Sequence, residues 1–439
     1  MRISILLLFA SFVFAACKDD DQPPMTEETR ALVESLGSEL TSLPVDPNVW
    51  TDGQLEFLDE YAGKKVVGLG EATHGTSEFF QAKHRILKYL AEKHGFKVFA
   101  IEADFGESLF INEAVMKSDK SQIESLMKNK MHFWTWKTSE VRDLLYWMCD
   151  YNVGKPMNEK LQYWGIDCQF NTYHPDQVWN VLSTSDITFG TFAQSVLNEV
   201  RNASANGFKD YSQATFDAYL KNVDALTDSI HKYETRITEH SSADQYEVTL
   251  QLARVIRQVS EVTYYSRKQT QSKNYRDIYM AENTEWIFQH LSSRKIVLWA
   301  HNYHISNYPI SQTLGSNLAT TYQDDYAKVG FLFSTGSFTA VTQEGDQFKG
   351  LTSQTIDTDP APASLNDVMH KTGTPAFSVS MQKLTSHGEW ASEFNKGIKY
   401  FQMGAVYNNS PQDYYGTFEP GFFDRLIYFD KSTSATQLR

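Results

Sequence analysis

The chain has 439 residues, enough for one large α/β domain with insertions or for two ordinary domains. With 41% hydrophobic and 14% aromatic residues it can bury a sizeable core, which excludes wholesale disorder. A formal charge of −14 argues against a nucleic-acid binder, and three cysteines cannot build a disulfide scaffold.

The chain opens on a targeting pattern. Arg2 precedes an apolar run from Ile3 to Ala16 that is too short to span a bilayer, which takes about 20 residues. The run ends in Phe14-Ala15-Ala16-Cys17, which resembles a bacterial lipoprotein signal with cleavage before Cys17 and acylation of its thiol. The expectation is a signal peptide over 1–16 and a tether over 17–25. Lys18-Asp19-Asp20-Asp21 reads either as a solvated linker or as a surface-export signal of such lipoproteins. The expected address is the cell envelope, at the outer membrane, with membrane contact only through Cys17. One acyl chain alone binds a membrane marginally. No later run approaches spanning length.

Helical patterns follow over Thr26 to Leu43 and Gly53 to Tyr61. The apolar run Lys65 to Leu69 reads as a buried strand. Ser77 to His94 reads as a helix capped by Gly95, Lys97 to Ile101 as a second strand, and Gly106 to Met116 and Ser139 to Tyr151 as helices. Leu161 to Ile166 reads as a third strand. From about Pro175 to Lys273 polar helix formers dominate, as in a helical insertion or cap. Tyr275 to Leu291 reads as a helix and Lys295 to Trp299 as a fourth strand. Tyr326 to Ser334 and Phe338 to Val341 read as a strand pair, with Ala376 to Ser380 and Leu426 to Phe429 as further strands. This alternation predicts one α/β domain over 26–439, with a central, largely parallel sheet covered by helices.

Each of the first four strands stops at an ionisable residue. The ends are Gly70-Glu71-Ala72-Thr73-His74-Gly75, Glu102-Ala103-Asp104, Gly165-Ile166-Asp167 and Trp299-Ala300-His301-Asn302-Tyr303-His304. Ligands of open α/β sheets sit outside the carboxyl ends of the strands. Parallel strands therefore gather Glu71, His74, Glu102, Asp167 and His301 at one edge, where acid–base chemistry becomes available. Taken singly, Glu71 or Asp167 reads as a helix cap, His74 as a buried histidine and Asp104 as a cap or ion-pair partner. Four such strand ends together favour a site. Gly-x-Ser-x-Gly, His-Glu-x-x-His and Walker motifs are absent, which disfavours a nucleophile elbow, a zincin and a P-loop. Cys149 and Cys168 read as packing residues or as an opportunistic disulfide.

Val66 to Gly75, with Glu78-Phe79-Phe80 and His84-Arg85, resembles the opening signature of the erythromycin esterase family. Gly95 to Asp104 resembles its second block. Trp134-x-Trp136 with Glu140, Trp147, Asn152 and Gly165-Ile166-Asp167 resembles its third. Arg276-Asp277 with Met280 and Asn283, then Trp299 to His304, resembles its fourth. The resemblance covers about Val66 to Gly336. It implies hydrolysis of an ester or lactone, macrolide-like cyclic esters and macrolide resistance included, by water without a covalent intermediate and without a cofactor.

Carried over, His74 is the general base, and Glu71 or Glu102 orients it or the water. Arg276 and His301 bind or polarise the carbonyl and its developing oxyanion. Trp134, Trp136, Asp167, Met280, Asn283 and His304 are candidates for contact with the small-molecule ester, with His304 either a partner of His301 or a loop residue. Two alternatives stay open. Glu71, His74, Glu102 and His301 are types a metal accepts, and the chain could capture a ligand such as haem without turning it over.

Overall fold

The computed structural model describes residues 25–185 and 189–438. Cys17, the signal pattern and nearly all of the tether lie outside the described residues.

Among the described residues there are twelve strands: β1 Thr41–Ser42, β2 Val66–Leu69, β3 Val98–Asp104, β4 Gln162–Asp167, β5 Ile296–Trp299, β6 Tyr326–Glu344, β7 Gln347–Ile356, β8 Ala376–Ser380, β9 Lys399–Phe401, β10 Val406–Tyr407, β11 Tyr415–Thr417 and β12 Arg425–Ser432. Ten of them form one sheet in the order β1-β8-β12-β6-β2-β5-β3-β4, with β7 and β10 also paired to β6. β12, β6, β2, β5, β3 and β4 run parallel. β8 and β1 close one side antiparallel, and β9 pairs with β11 in a separate antiparallel ribbon. Every residue of β2, β3, β4 and β5 is buried. That explains why these strands read as unbroken apolar runs: a parallel sheet is covered on both faces. The expected α/β fold with a central, largely parallel sheet is present.

Helices follow the strands as read, with small shifts at their ends. Ser77–His94 ends at Gly95 in the left-handed conformation (φ 71°). Asp104 caps Phe105–Met116, its carboxylate accepting the N–H groups of Gly106 and Glu107 at 3.1 and 3.4 Å. The first helix stops earlier than expected, at Glu39, and the next residues form β1. Gly53 to Tyr61 is 3₁₀ rather than α-helical. The polar region holds His174–Thr184, Gly190–Ala205, Gln213–Lys232, Glu234–His240 and Ala243–Lys268, with no strand among its described residues. Among the described residues no helix is long and apolar enough to cross a membrane.

One expectation is corrected. Tyr326 to Ser334 and Phe338 to Val341 are not a pair of strands but parts of the single long strand β6. Ser334 to Ser337 resembles a turn in sequence, yet Gly336 (φ 105°) lets the strand continue. The antiparallel partner is β7, which pairs with Gly336 to Glu344. Most of β7 is exposed, and its apolar residues Phe348, Leu351 and Ile356 follow no alternation, so it carries no strand signal.

Gly75 shows why the turn after β2 holds its shape. A Cβ there would lie 2.0 Å from the carbonyl oxygen of Thr339, and the Gly75 carbonyl accepts N–H bonds from Thr339 and Ala435 at 2.9 and 2.8 Å. The second half of β6 is thereby seated directly against the turn that carries His74.

Candidate active site

The sheet brings Glu71, His74, Glu102, Asp167 and His301 to one edge, as parallel strands require. The rings of His74 and His301 lie 5.1 Å apart.

Glu71 is fully buried and binds three groups. Its Oε1 accepts from His74 Nδ1 at 2.7 Å, and its Oε2 accepts from Lys83 Nζ and Trp299 Nε1, each at 2.6 Å. Burial alone would raise its pKa, but the Lys83 charge and the His74 contact hold it below the ordinary value. Lys83 is fully buried on the helix Ser77–His94, its ammonium 4.2 Å from the centre of the Trp299 ring. Desolvation depresses its pKa to about 8 against the pull of Glu71. Sequence reading missed Lys83. The available signal was a lysine three or four positions from Phe79, Phe80, Ile86 and Leu87, all core residues, and so on their face of the helix.

The dyad fixes the tautomer of His74. Nδ1–H points at Glu71, so the lone pair lies on Nε2, which has no hydrogen-bond partner among the described residues. A cavity of about 240 Å³ opens there, lined among others by His74, Glu102, Trp134, Trp136, Arg276 and Ala405. Trp136 is buried, donates Nε1–H to the Glu102 carbonyl at 2.8 Å and sets its ring edge-on to His74. Trp134 lines the cavity, whereas Trp147 packs against His84 and Tyr151 elsewhere.

The second cluster surrounds Arg276, on the first turn of the helix Tyr275–His290. Its Nε and Nη2 bind the two oxygens of Asp167 at 3.0 and 2.8 Å, and Nη2 also reaches Glu102 Oε1 at 2.7 Å. Nη1 lies 3.1 Å from His304 Nε2. His304 donates Nδ1–H to Asp277 at 2.8 Å and approaches Glu102 at 3.3 Å. Burial alone would lower its pKa, but Asp277 and Glu102 raise it to about 10, so His304 is a cation at neutral pH. Burial likewise opposes ionisation of Glu102, yet His304 and Arg276 hold its carboxyl well below the usual range. The pairing of β3 with β4 is irregular between Ile101 and Asp104, the stretch that carries Glu102. Such irregularities re-aim side chains beside active sites.

Other candidates sit differently from the roles the resemblance implied. Both ring nitrogens of His301 face backbone: Nδ1 accepts from Tyr303 N–H at 3.2 Å, and Nε2 lies 3.2 Å from the Met403 carbonyl and 3.4 Å from that of Ala72. Burial, with His74 and His304 nearby, depresses its pKa to about 3. A neutral ring tied at both nitrogens has no free donor for a carbonyl oxygen. Glu102 makes no hydrogen bond to His74; it binds Arg276 and the backbone N–H of His301 instead. Met280 is fully buried away from the cavity lining. Asn283 binds the Ile166 carbonyl and Gln251, each at 2.9 Å, tying β4 to the helical region. Cys149 and Cys168 are free and buried; burial pushes the first thiol to about 11 and the second well above its ordinary value. Among the described residues no group of three or more His, Cys, Asp or Glu side chains is arranged to hold a metal ion.

These features define an α/β protein with a carboxylate-oriented histidine facing a cavity beside a guanidinium. A sequence profile described as Erythromycin esterase matches residues 91–432, and the chain belongs to the erythromycin esterase family, a family of hydrolases. Glu71, His74 and Lys83 lie before the matched segment. Erythromycin esterase type II of Escherichia coli is 28% identical over 315 residues, covering 64% of this chain and 72% of its own. A protein of Bacillus subtilis (strain 168) provisionally named a hydrolase, YbfO, is 24% identical over 369 residues, covering 76% and 78%. Among solved structures, a Bacillus cereus protein superposes with a TM-score of 0.79 at 21% identity, covering 94% of this chain and 99% of its own. A mutant erythromycin esterase in its open conformation gives 0.66 at 18% identity, covering 91% and 98%. At these identities the structural likeness establishes the fold.

Proposed function

We propose that the protein hydrolyses a carboxylic ester or lactone by water that His74 deprotonates, without a covalent intermediate. The observation that carries this reading is the Glu71–His74 dyad with its free Nε2 turned into the cavity. Geometrically it matches a general base held by an orienting carboxylate. A water nucleophile is supported by the absence of any hydroxyl or thiol bonded to His74 among the described residues. The nearby Thr73 and Thr76 hydroxyls bond each other at 2.7 Å, and both free thiols are buried with raised pKa values. Arg276 gives three N–H bonds to Asp167 and Glu102. A guanidinium has five N–H donors, so Nη1 keeps capacity for the oxygen that gains charge in the transition state. Asp167 and Glu102 hold that guanidinium in place.

The test is a hydrolysis screen over macrolides, smaller lactones and simple esters, each with and without chelator. The expected result is turnover of at least one ester at a rate that chelation leaves unchanged. Loss on chelation with rescue by one metal ion would transfer the chemistry to a metal, and tight binding without turnover would favour ligand capture. We also propose that Cys17 carries the lipid, on the strength of the signal pattern. The mature protein should then fractionate with membranes and show an acylated Cys17 in its mass spectrum; an unmodified thiol overturns the anchor.

A further inference from the structure

The turn Gln402 to Ala405, between β9 and β10, crosses the site from a part of the chain more than three hundred residues from His74 in sequence. It is held at several points. Met403 N–H donates to the Ala72 carbonyl at 2.7 Å, and Met403 O faces His301 Nε2 at 3.2 Å. The Ala405 carbonyl accepts Val341 N–H at 2.9 Å, and Gln402 N–H reaches Tyr414 O at 3.1 Å. The turn is thus fixed to the same Ala72 that precedes the base, and Ala405 forms part of the cavity wall.

Gly404 sits at the centre of this turn, and neither usual reason for a glycine applies. Its φ lies outside the left-handed region, so the backbone does not require it. Close packing does not require it either. A Cβ built there meets only two atoms within 4 Å, Cδ2 and Nε2 of His74, both at 4.0 Å. The space that the missing side chain leaves therefore lies against the Cδ2–Nε2 edge of the base, the edge that carries the free nitrogen. A water taking up that lone pair lies about 2.6–3.2 Å from Nε2, and the carbon it attacks about 3–3.5 Å further on. A methyl group at position 404 stands at ordinary contact distance from that ring edge, whereas a branched side chain takes up more of the space beside it.

We infer that the Met403–Ala405 turn sets which acyl groups reach His74, with Gly404 as the size-determining position. The acyl side of the ester lies between Gly404-Ala405 and the Trp134–Trp136 face of the cavity. This rests on the hydrolase reading above. It also gives His301 a role: its ring bridges the Ala72 turn and the Met403 turn, and positions the wall rather than polarising the ester.

The experiment compares the unsubstituted chain with Gly404→Ala and Gly404→Val on p-nitrophenyl acetate, butyrate and benzoate, with thermal unfolding of each. The expected result is unchanged unfolding temperatures and a loss that grows with acyl size. Gly404→Ala should lower kcat/KM for benzoate more than for acetate. Gly404→Val should lower kcat/KM for benzoate by about 10-fold or more relative to acetate, since even one methylene in a shaped pocket is worth about 10- to 200-fold. An equal fall for all three esters, or no fall, overturns the inference while leaving the hydrolase reading intact. No turnover of these three esters by the unsubstituted chain overturns the inference, whereas the hydrolase reading falls only if the macrolide and lactone screen also shows none. If Gly404→Val fails to fold, the same comparison on Ala405→Leu decides.

Discussion

Alanine at His74 should lower kcat by roughly 10²- to 10⁴-fold, the usual cost of losing a general base, while leaving the fold near its original stability. The second half of that expectation comes from Glu71. Removing the imidazole takes away one of three partners of a buried carboxylate, but Lys83 and Trp299 still bind its other oxygen at 2.6 Å. The counter-charge therefore remains, and the cavity supplies water for Oε1. His74→Gln is the control: its amide fills similar space and carries no base. Both variants should fall in kcat by a similar factor on a confirmed substrate. Full activity in His74→Ala would reject the assignment, and the proton acceptor would then have to be sought among other groups at the cavity. Glu102 is a poor substitute. Its carboxylate already serves Arg276 and the His301 N–H, and the charges around it hold its proton affinity well below the ordinary value.

The strand-end chemistry was legible in sequence because a buried parallel strand has a simple grammar. Val66 to Leu69 and Ile296 to Trp299 are apolar throughout, so the first ionisable residue after each marks where the chain leaves the sheet. Asp104 was legible as a cap for the same reason. What stayed hidden depended on distant chain segments. Lys83 reads as a stray charge on a helix until the sheet puts Glu71 and Trp299 against it. The wall at Met403 to Ala405 carries no ionisable group and approaches from beyond the region of family resemblance. His301 carries the right residue type, but its use is decided by two backbone carbonyls, one of them on that same wall. β7 was missed because its apolar residues, Phe348, Leu351 and Ile356, are unevenly spaced and lack the alternation that betrays a half-buried strand.

Removing the Arg276 guanidinium, as in Arg276→Met, should destabilise the protein by about 3–5 kcal/mol, the usual cost of breaking one side of a buried ion pair. Arg276 itself is partly exposed, but its partners are not: the Glu102 side chain is 5% exposed and that of Asp167 is not exposed at all. Without the guanidinium, Asp167 keeps only neutral partners, the Cys168 N–H and the Gln169 amide, both at 2.8 Å. A second change, Asp167→Asn, should recover part of the loss in the Arg276→Met background while costing stability alone, because it removes the charge the first change stranded. Denaturant unfolding of the four proteins measures this coupling, and strict additivity would show that the pair contributes nothing. The pH dependence has a definite sign at each end. Glu102 is depressed in the folded protein, so its contribution is present above its unfolded value, near about 4.3, and is lost as pH falls through the folded one. His304 is raised, so its contribution is complete below about 6.5 and is lost as pH rises through about 10. The unsubstituted chain should therefore lose stability on both sides of neutrality. In Arg276→Met the acid-side loss should begin at higher pH, because Glu102 then keeps only His304 as a cationic neighbour within ion-pair distance.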